Sequence, residues 1–314
     1  MQGNSGWPPL PLQAWEPTYL TLHRFTQVLG KLCLAFAPPQ NHWWHTTLAV
    51  TSRGLATPAL PAGERTFGVT LDFCAHRLVV HCSDGRESGF ELRPMTVADF
   101  YARALECLDG VGVRARLNPV PAEVSDTTPL DQDTHHASYD RDAVSRLHRI
   151  LLQVDRVFRI HRGRFVGKSS PSHFFWGAFD LAVSRFCGRV NPNPPQDPVM
   201  AQAYSHEVIS HGFWPGGDWP GGARVPEAIF YAYVVPSADG LAGARIEPLA
   251  ARFDPAMGEF VLPYEAVRMS ADPQATLLAF MESTYLAAAT LREWDVGQLE
   301  LPGVTAMPAP RTNT

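Results

Sequence analysis

Four histidine-bearing segments hold most of the side chains able to do chemistry: His42-Trp43-Trp44-His45, His135-His136, Ser172-His173, and Tyr204-Ser205-His206-Glu207 with His211 further on. A divalent ion needs several neutral imidazoles, often with a carboxylate, converging from separate elements. His42, His173 and His206 are the expected ligands for such an ion, iron or zinc, with Glu207 as fourth ligand or general base. If the segment at 42–45 is a strand, its period of two places His42 and Trp44 on one face and Trp43 and His45 on the other, so His42 is preferred. His206-Glu207 reaches His211 one residue too late for the HExxH spacing of zincins, so a zincin is rejected. The competing readings are core histidines that hydrogen-bond to carbonyls or carboxylates, and metal-free acid–base chemistry. His135 and His136, among Asp131, Asp133 and Asp140, read as turn-capping or surface groups.

Aromatic side chains crowd these positions. Trp44, Trp176 and Trp214 are the expected substrate-contacting walls of an apolar, water-poor cleft, and Arg185 the expected clamp for a substrate carboxylate. Plain core packing explains the strand aromatics about as well. Asp180 stands close enough in sequence to orient an imidazole. The run Phe213-Trp214-Pro215-Gly216-Gly217-Asp218-Trp219-Pro220-Gly221-Gly222 is too rich in Gly and Pro for a regular core element and is expected to form a lid. No GxSxG elbow, P-loop or Rossmann glycine fingerprint is present, so α/β-hydrolase, NTPase and classical dehydrogenase readings lose support, and no nucleotide cofactor is indicated.

The elements that must position these residues follow from periodicity. Pro17 suits a first helical turn, and Leu20, Phe25, Val28, Leu29 and Leu32 predict a helix to about Gly30. Alternating and β-branched stretches predict strands at 42–51, 66–73, 77–82 and 89–92. Thr96 opens a second helix that ends near Gly110, and a short strand is expected over 111–117. After a Pro-, Asp- and Thr-rich segment the pattern restarts. A helix is expected over 142–161, strands at 228–235, 246–253 and 259–262, and a last helix from Asp272 to about Leu291. Leu147-His148-Arg149 matches Leu22-His23-Arg24, and Ser172-His173-Phe174-Phe175 leading to Leu181-Ala182-Val183 matches Asn41-His42-Trp43-Trp44 leading to Leu48-Ala49-Val50. The expected fold is therefore α+β: two diverged copies of a helix/antiparallel-hairpins/helix module around a common cleft. The expected boundaries are 1–117 with an extended N-terminal arm, a linker or functional loop at 118–140, a second module at 141–295 and a tail at 296–314.

Bulk properties narrow the class. With 45% hydrophobic and 18% charged residues over 314 positions, the chain can bury a sizeable core. A formal net charge of -5 gives no footprint for nucleic acid or an anionic membrane; the basic cluster Arg156, Arg159, Arg162, Arg164 and Lys168 reads as a solvated helix face. Neither a signal peptide nor a membrane span is visible, and the five cysteines lack a CxxC pair, so a cytoplasmic protein with buried, reduced thiols is expected.

Through its NHWWH, HASYD, SxHFFWG and YSHE motifs, from Trp7 to about Asp295, the chain resembles a bacterial family known only as a domain of unknown function. His211 lies outside those motifs. The resemblance implies one evolutionary unit and brings no activity with it. The leading expectation is a metal-dependent enzyme, oxidoreductase or hydrolase, acting on a small organic molecule. The alternative is a non-catalytic small-ligand binding protein with structural histidines.

Overall fold

A computed structural model describes residues 6–218 and 224–301. The chain opens with α1 (Leu12–Phe36), which carries Pro17 inside it and continues past Gly30. Gly30 is a contact point: a Cβ there would lie 2.0 Å from the Trp176 ring, so the missing side chain lets the indole lie on the helix. Most of α1 is buried, because it sits between the two halves of the molecule.

The next segment departs from expectation. Asn41–Thr46 is a 3-10 turn, not a strand, and His42 and Trp43 have φ of 57° and 61°. Period-two facing does not apply to it. A meander follows: β1 (Ala49–Thr51), β2 (Gly54–Ala56), β3 (Leu60–Ala62), β4 (Arg65–Asp72), β5 (Arg77–Cys82) and β6 (Glu87–Glu91). These form one antiparallel sheet in the order β1-β2-β4-β5-β6, with β3 also on β4. The expected strands at 66–73 and 77–82 are present within a residue or so. Thr96 caps α2 (Val97–Gly110) by accepting from the Asp99 amide at 3.0 Å. Residues 113–119 carry no regular secondary structure, where a strand over 111–117 was expected.

The segment 118–140 is ordered around Asp133, which is buried, accepts from the His135 and His136 amides at 3.0 Å and pairs with Arg24 of α1 at 3.1 Å. The His136 ring also contacts Asp133, at 2.8 Å; Asp133 is the group that caps this turn, and His135 is exposed. Asp140 then caps α3 (Arg141–Gly163).

The second half is built on β7 (Lys168–Ser169), β8 (His173–Phe175), β9 (Asp180–Val190), α4 (Pro198–Ala203), β10 (His206–Trp214), β11 (Gly217–Asp218), β12 (Arg224–Val225), β13 (Ile229–Val235), β14 (Arg252–Asp254), β15 (Glu259–Pro263), α5 (Tyr264–Arg268), α6 (Pro273–Leu291) and α7 (Val296–Leu299). Its seven-stranded antiparallel sheet has the order β14-β15-β13-β10-β9-β7, with β8 on β9. Phe213 and Trp214, expected in a lid, end the central strand β10; Trp219 to Gly222 lie outside the described residues. Most of the stretch expected as a strand over 246–253 is loop; only Arg252 and Phe253 belong to β14.

The architecture is α+β. One continuous core runs through both halves, and Leu48 and Phe174 bridge the sheets by backbone hydrogen bonds of 3.0 and 2.9 Å. His42 in a 3-10 turn and His173 in a strand do not share the local structure that their sequence match led us to expect. Among the cysteines, Cys33, Cys82 and Cys107 are buried, Cys187 is half-buried and Cys74 is exposed, so the expectation of five buried thiols holds for three.

Candidate functional site

Alternation along the strands sorts the second sheet into two chemically different faces. One carries Leu181, Val183, Ile209, Phe213, Phe230 and Phe260 against α3 and α6 and is the main core. On the other, Ala182 stands opposite Gly212 and Gly212 opposite Tyr231, while Ser184 stands opposite Ser210 and Ser210 opposite Tyr233. This second face is polar.

Its centre is Asp180, at the start of β9. The Tyr231 hydroxyl donates to its carboxylate across β10. That reach depends on Gly212: a Cβ there would meet the Tyr231 ring carbon Cζ at 2.1 Å, so the phenol lies flat over the glycine and crosses the strand. Next to it the Tyr204 and Tyr233 hydroxyls are 3.1 Å apart, and Ser184 and Ser210 exchange a hydrogen bond of 3.0 Å. Trp214, with Ile229, Tyr231 and Val261, forms a small apolar cluster of its own on this face. The Trp214 indole donates to the Ala178 carbonyl at 3.1 Å.

Electrostatics set this face apart. Burial pushes the Asp180 carboxyl up to about 7; the Tyr231 hydrogen bond opposes the shift and the Glu123 charge adds to it. Glu259 rises to about 8, from burial and then from the charges of Asp180 and Asp254, and its Oε2 is buried without a hydrogen-bond partner. Glu123, whose carboxylate lies over the Gly177 backbone, is also raised by burial although it is solvent-accessible. No lysine or arginine pairs with Asp180, Glu123 or Glu259 among the described residues. Two neighbouring carboxyls that hold protons near neutrality, beside three tyrosines and two serines, can donate or accept a proton at a bound molecule.

The residues expected from sequence are distributed differently. His42 and His206 are neighbours, with ring centroids 6.1 Å apart, and Trp44 lies between His42 (5.0 Å) and His173 (5.6 Å). His42 is nevertheless fully engaged. Its Nδ1 faces the Gln202 and Ala203 carbonyls at 3.2 and 3.0 Å, and its Nε2 faces the Lys168 ammonium at 2.6 Å. An ammonium on the remaining lone pair does not suit a metal ligand. Among the described residues no group of three or more His, Cys, Asp or Glu is arranged to hold a metal ion. His173 is lowered to about 4 by burial and then by the Arg162 charge, which keeps its ring neutral.

Glu207 points away from this group, because its neighbour His206 takes the polar face and alternation turns Glu207 to the other. There it accepts from Arg189 (2.8 Å), Arg292 (2.8 Å) and Trp294 (2.9 Å). Burial alone would raise its pKa, but these donors outweigh it and hold the group below the usual range, which suits an anchor and not a base. Arg185 is 1% exposed, stacked between Phe165 and Tyr285, and donates to the His161 carbonyl. It cannot clamp a substrate from that position. His211 is buried on the same face as Arg185, against Thr284 at 3.0 Å. Trp176 lies on Gly30 and donates to the Thr46 carbonyl at 2.7 Å, as core. A surface cleft of about 320 Å³ lined by Arg164, Glu282 and Glu300 adjoins α6, on the side of the sheet away from Asp180.

Sequence reasoning considered Asp180 only as an orienting partner and missed Tyr231, Tyr233, Tyr204 and Glu259. The one available signal was alternation in Tyr231-Ala232-Tyr233, a strand with two phenols on one face. Among known proteins, a family described as of unknown function, DUF5996, matches residues 7–301. No curated protein and no solved structure matches the chain.

Proposed function

We propose, for a chain that belongs to the DUF5996 family of unknown function, an enzyme that acts on a small organic molecule by acid–base chemistry on the polar face of the second sheet. Asp180 is the proton-transferring group and Tyr231 holds it. The observation that carries this reading is a carboxyl 8% exposed, raised to about 7, bonded to a tyrosine and not neutralised by any cation among the described residues. Such an arrangement opposes folding stability and is characteristic of groups that exchange protons at work. Trp214, which the sequence suggested as a wall, is joined here by Tyr204 and Tyr233. Glu259, protonated at neutral pH, can donate a hydrogen bond to a ligand, as a neutral carboxylic acid does in an apolar site.

The test is a titration of the Asp180 carboxyl by difference infrared spectroscopy, wild type minus Asp180→Asn. A midpoint near 7 that moves in Tyr231→Phe supports the reading. A midpoint in the ordinary range of 3 to 4 removes its basis. In parallel, a panel of small polar metabolites is screened by thermal shift, and compounds that protect the wild type but not Asp180→Asn identify the ligand class.

A further inference from the structure

Of the 26 basic residues in the chain only two are lysines, Lys31 and Lys168. A chain that meets its need for positive charge with arginine gains something specific where it keeps lysine: an amine that can lose its proton. Lys31 is buried on α1 and donates to the Val120 carbonyl at 2.6 Å, a structural contact. Lys168 is different.

It is solvent-exposed on the edge strand β7, and its Nζ stands 2.6 Å from His42 Nε2, with the rings of Phe186 at 5.2 Å and Trp44 at 5.5 Å. The tautomer of His42 follows from its other nitrogen. Nδ1 faces two carbonyl oxygens, which accept only, so it carries the hydrogen and Nε2 presents its lone pair to the amine. The other titratable group beside the pair is His206, and no carboxylate is within ion-pair distance of Lys168 among the described residues. Partial desolvation lowers the lysine below its usual range, and burial, with the Lys168 and His206 charges, lowers His42. His42 is fixed by the positive-φ turn at 42–43, while Lys168 arrives from a different half of the chain, so tertiary folding alone assembles the pair.

We propose that Lys168 and His42 form a second reactive site, a nucleophilic amine that condenses with small aldehydes or ketones carrying an apolar portion. The Lys168 ammonium gives its proton to His42 Nε2, and the free amine forms a C–N bond to the carbonyl carbon as the C=O π pair moves to oxygen. The oxygen takes up two protons, one returned by His42 and one released by the attacking nitrogen, and departs as water as the nitrogen lone pair forms the C=N bond of a protonated Schiff base. No oxidant or reductant is needed. The Trp44 and Phe186 rings flank the amine and supply the apolar contact. By the rise of a strand, Asp180 and Phe186 lie about 20 Å apart along β9, so this site stands independently of the proton-transfer site.

The experiment is reductive trapping of the full-length protein with butanal and cyanoborohydride at pH 7, read by peptide mass spectrometry. Native Lys168 is expected to react faster than the same lysine in the urea-unfolded chain, and Lys31 more slowly than it does there. His42→Gln, whose amide can still donate to the 202 and 203 carbonyls, should slow trapping at Lys168 roughly 10²-fold, as loss of a positioned base does. Native Lys168 reacting no faster than the unfolded control, or a rate unchanged by His42→Gln in a variant with wild-type circular dichroism, overturns the proposal. Should His42→Gln not fold, the pH profile of wild-type trapping decides. An inflexion below that of the unfolded lysine supports the pair, and an identical inflexion refutes it.

Discussion

Replacing Asp180 by Asn should stabilise the folded protein at pH 8 while removing the proton transfer proposed for this group. The ordinary carboxyl value of 3.8 rises to about 7 in the fold. Below about pH 3.8 the group is protonated in both folded and unfolded chains and contributes nothing. Between pH 4 and 7 the unfolded chain ionises and the folded one resists, so wild-type stability falls as pH rises; above 7 the penalty is constant. At about 1.4 kcal/mol per unit, a shift of about 3 units is worth roughly 4 kcal/mol. Asn keeps a neutral acceptor for Tyr231, and the stronger bond that the ionised carboxylate makes is already contained in the value of about 7. The expected net gain is about 4 kcal/mol at pH 8, shrinking to less than about 1 kcal/mol by pH 4. Urea denaturation of both proteins at pH 4, 6 and 8 measures it. A variant less stable than wild type at pH 8, or a difference that does not change with pH, would refute the electrostatic account.

Other expectations follow from the same geometry. Gly212→Ala should drive the Tyr231 ring off its seat, break its bond to Asp180 and cost about 1 to 3 kcal/mol by overpacking; a tyrosine fluorescence spectrum and melting temperature like wild type would contradict this. Arg185→Ala should cost about 3 to 5 kcal/mol, because it empties the space between Phe165 and Tyr285 and leaves the buried His161 carbonyl without its donor, while Glu282 keeps Arg164, and chemical denaturation reads that loss. His161 and His211 are held neutral, far below their usual range, by burial and by nearby cationic groups. Their folded values are depressed, so the unfolded chain binds more protons as pH falls through about 6.5, and stability drops by up to about 1.4 kcal/mol per pH unit for each. Asp180→Asn, which removes the opposing carboxyl, should show that acid-side slope most clearly, and a flat profile between pH 6.5 and 5 would exclude it.

The sequence by itself determined the local elements whose signals are local. Thr96, Asp140 and Asp272 cap helices where side-chain acceptors meet free amides, and β4, β5, β13 and β15 follow alternation and β-branching. It also marked the neighbourhood of His42, Trp44, His173 and His206, which do come together. The tertiary structure decided what those residues do. The NHWWH segment looked like a strand because its aromatics favour one, yet long-range contacts with α4 and β9 hold it in a 3-10 turn with positive φ. Glu207 lost its catalytic reading to strand alternation and to Arg292, 85 residues away. Asp180 gained one because burial and Tyr231, 51 residues away, set its proton affinity. Proton affinity depends on desolvation and on charges brought near by folding, and neither is a property of residue order, so the candidate site emerged only when the second sheet was seen to have a polar face.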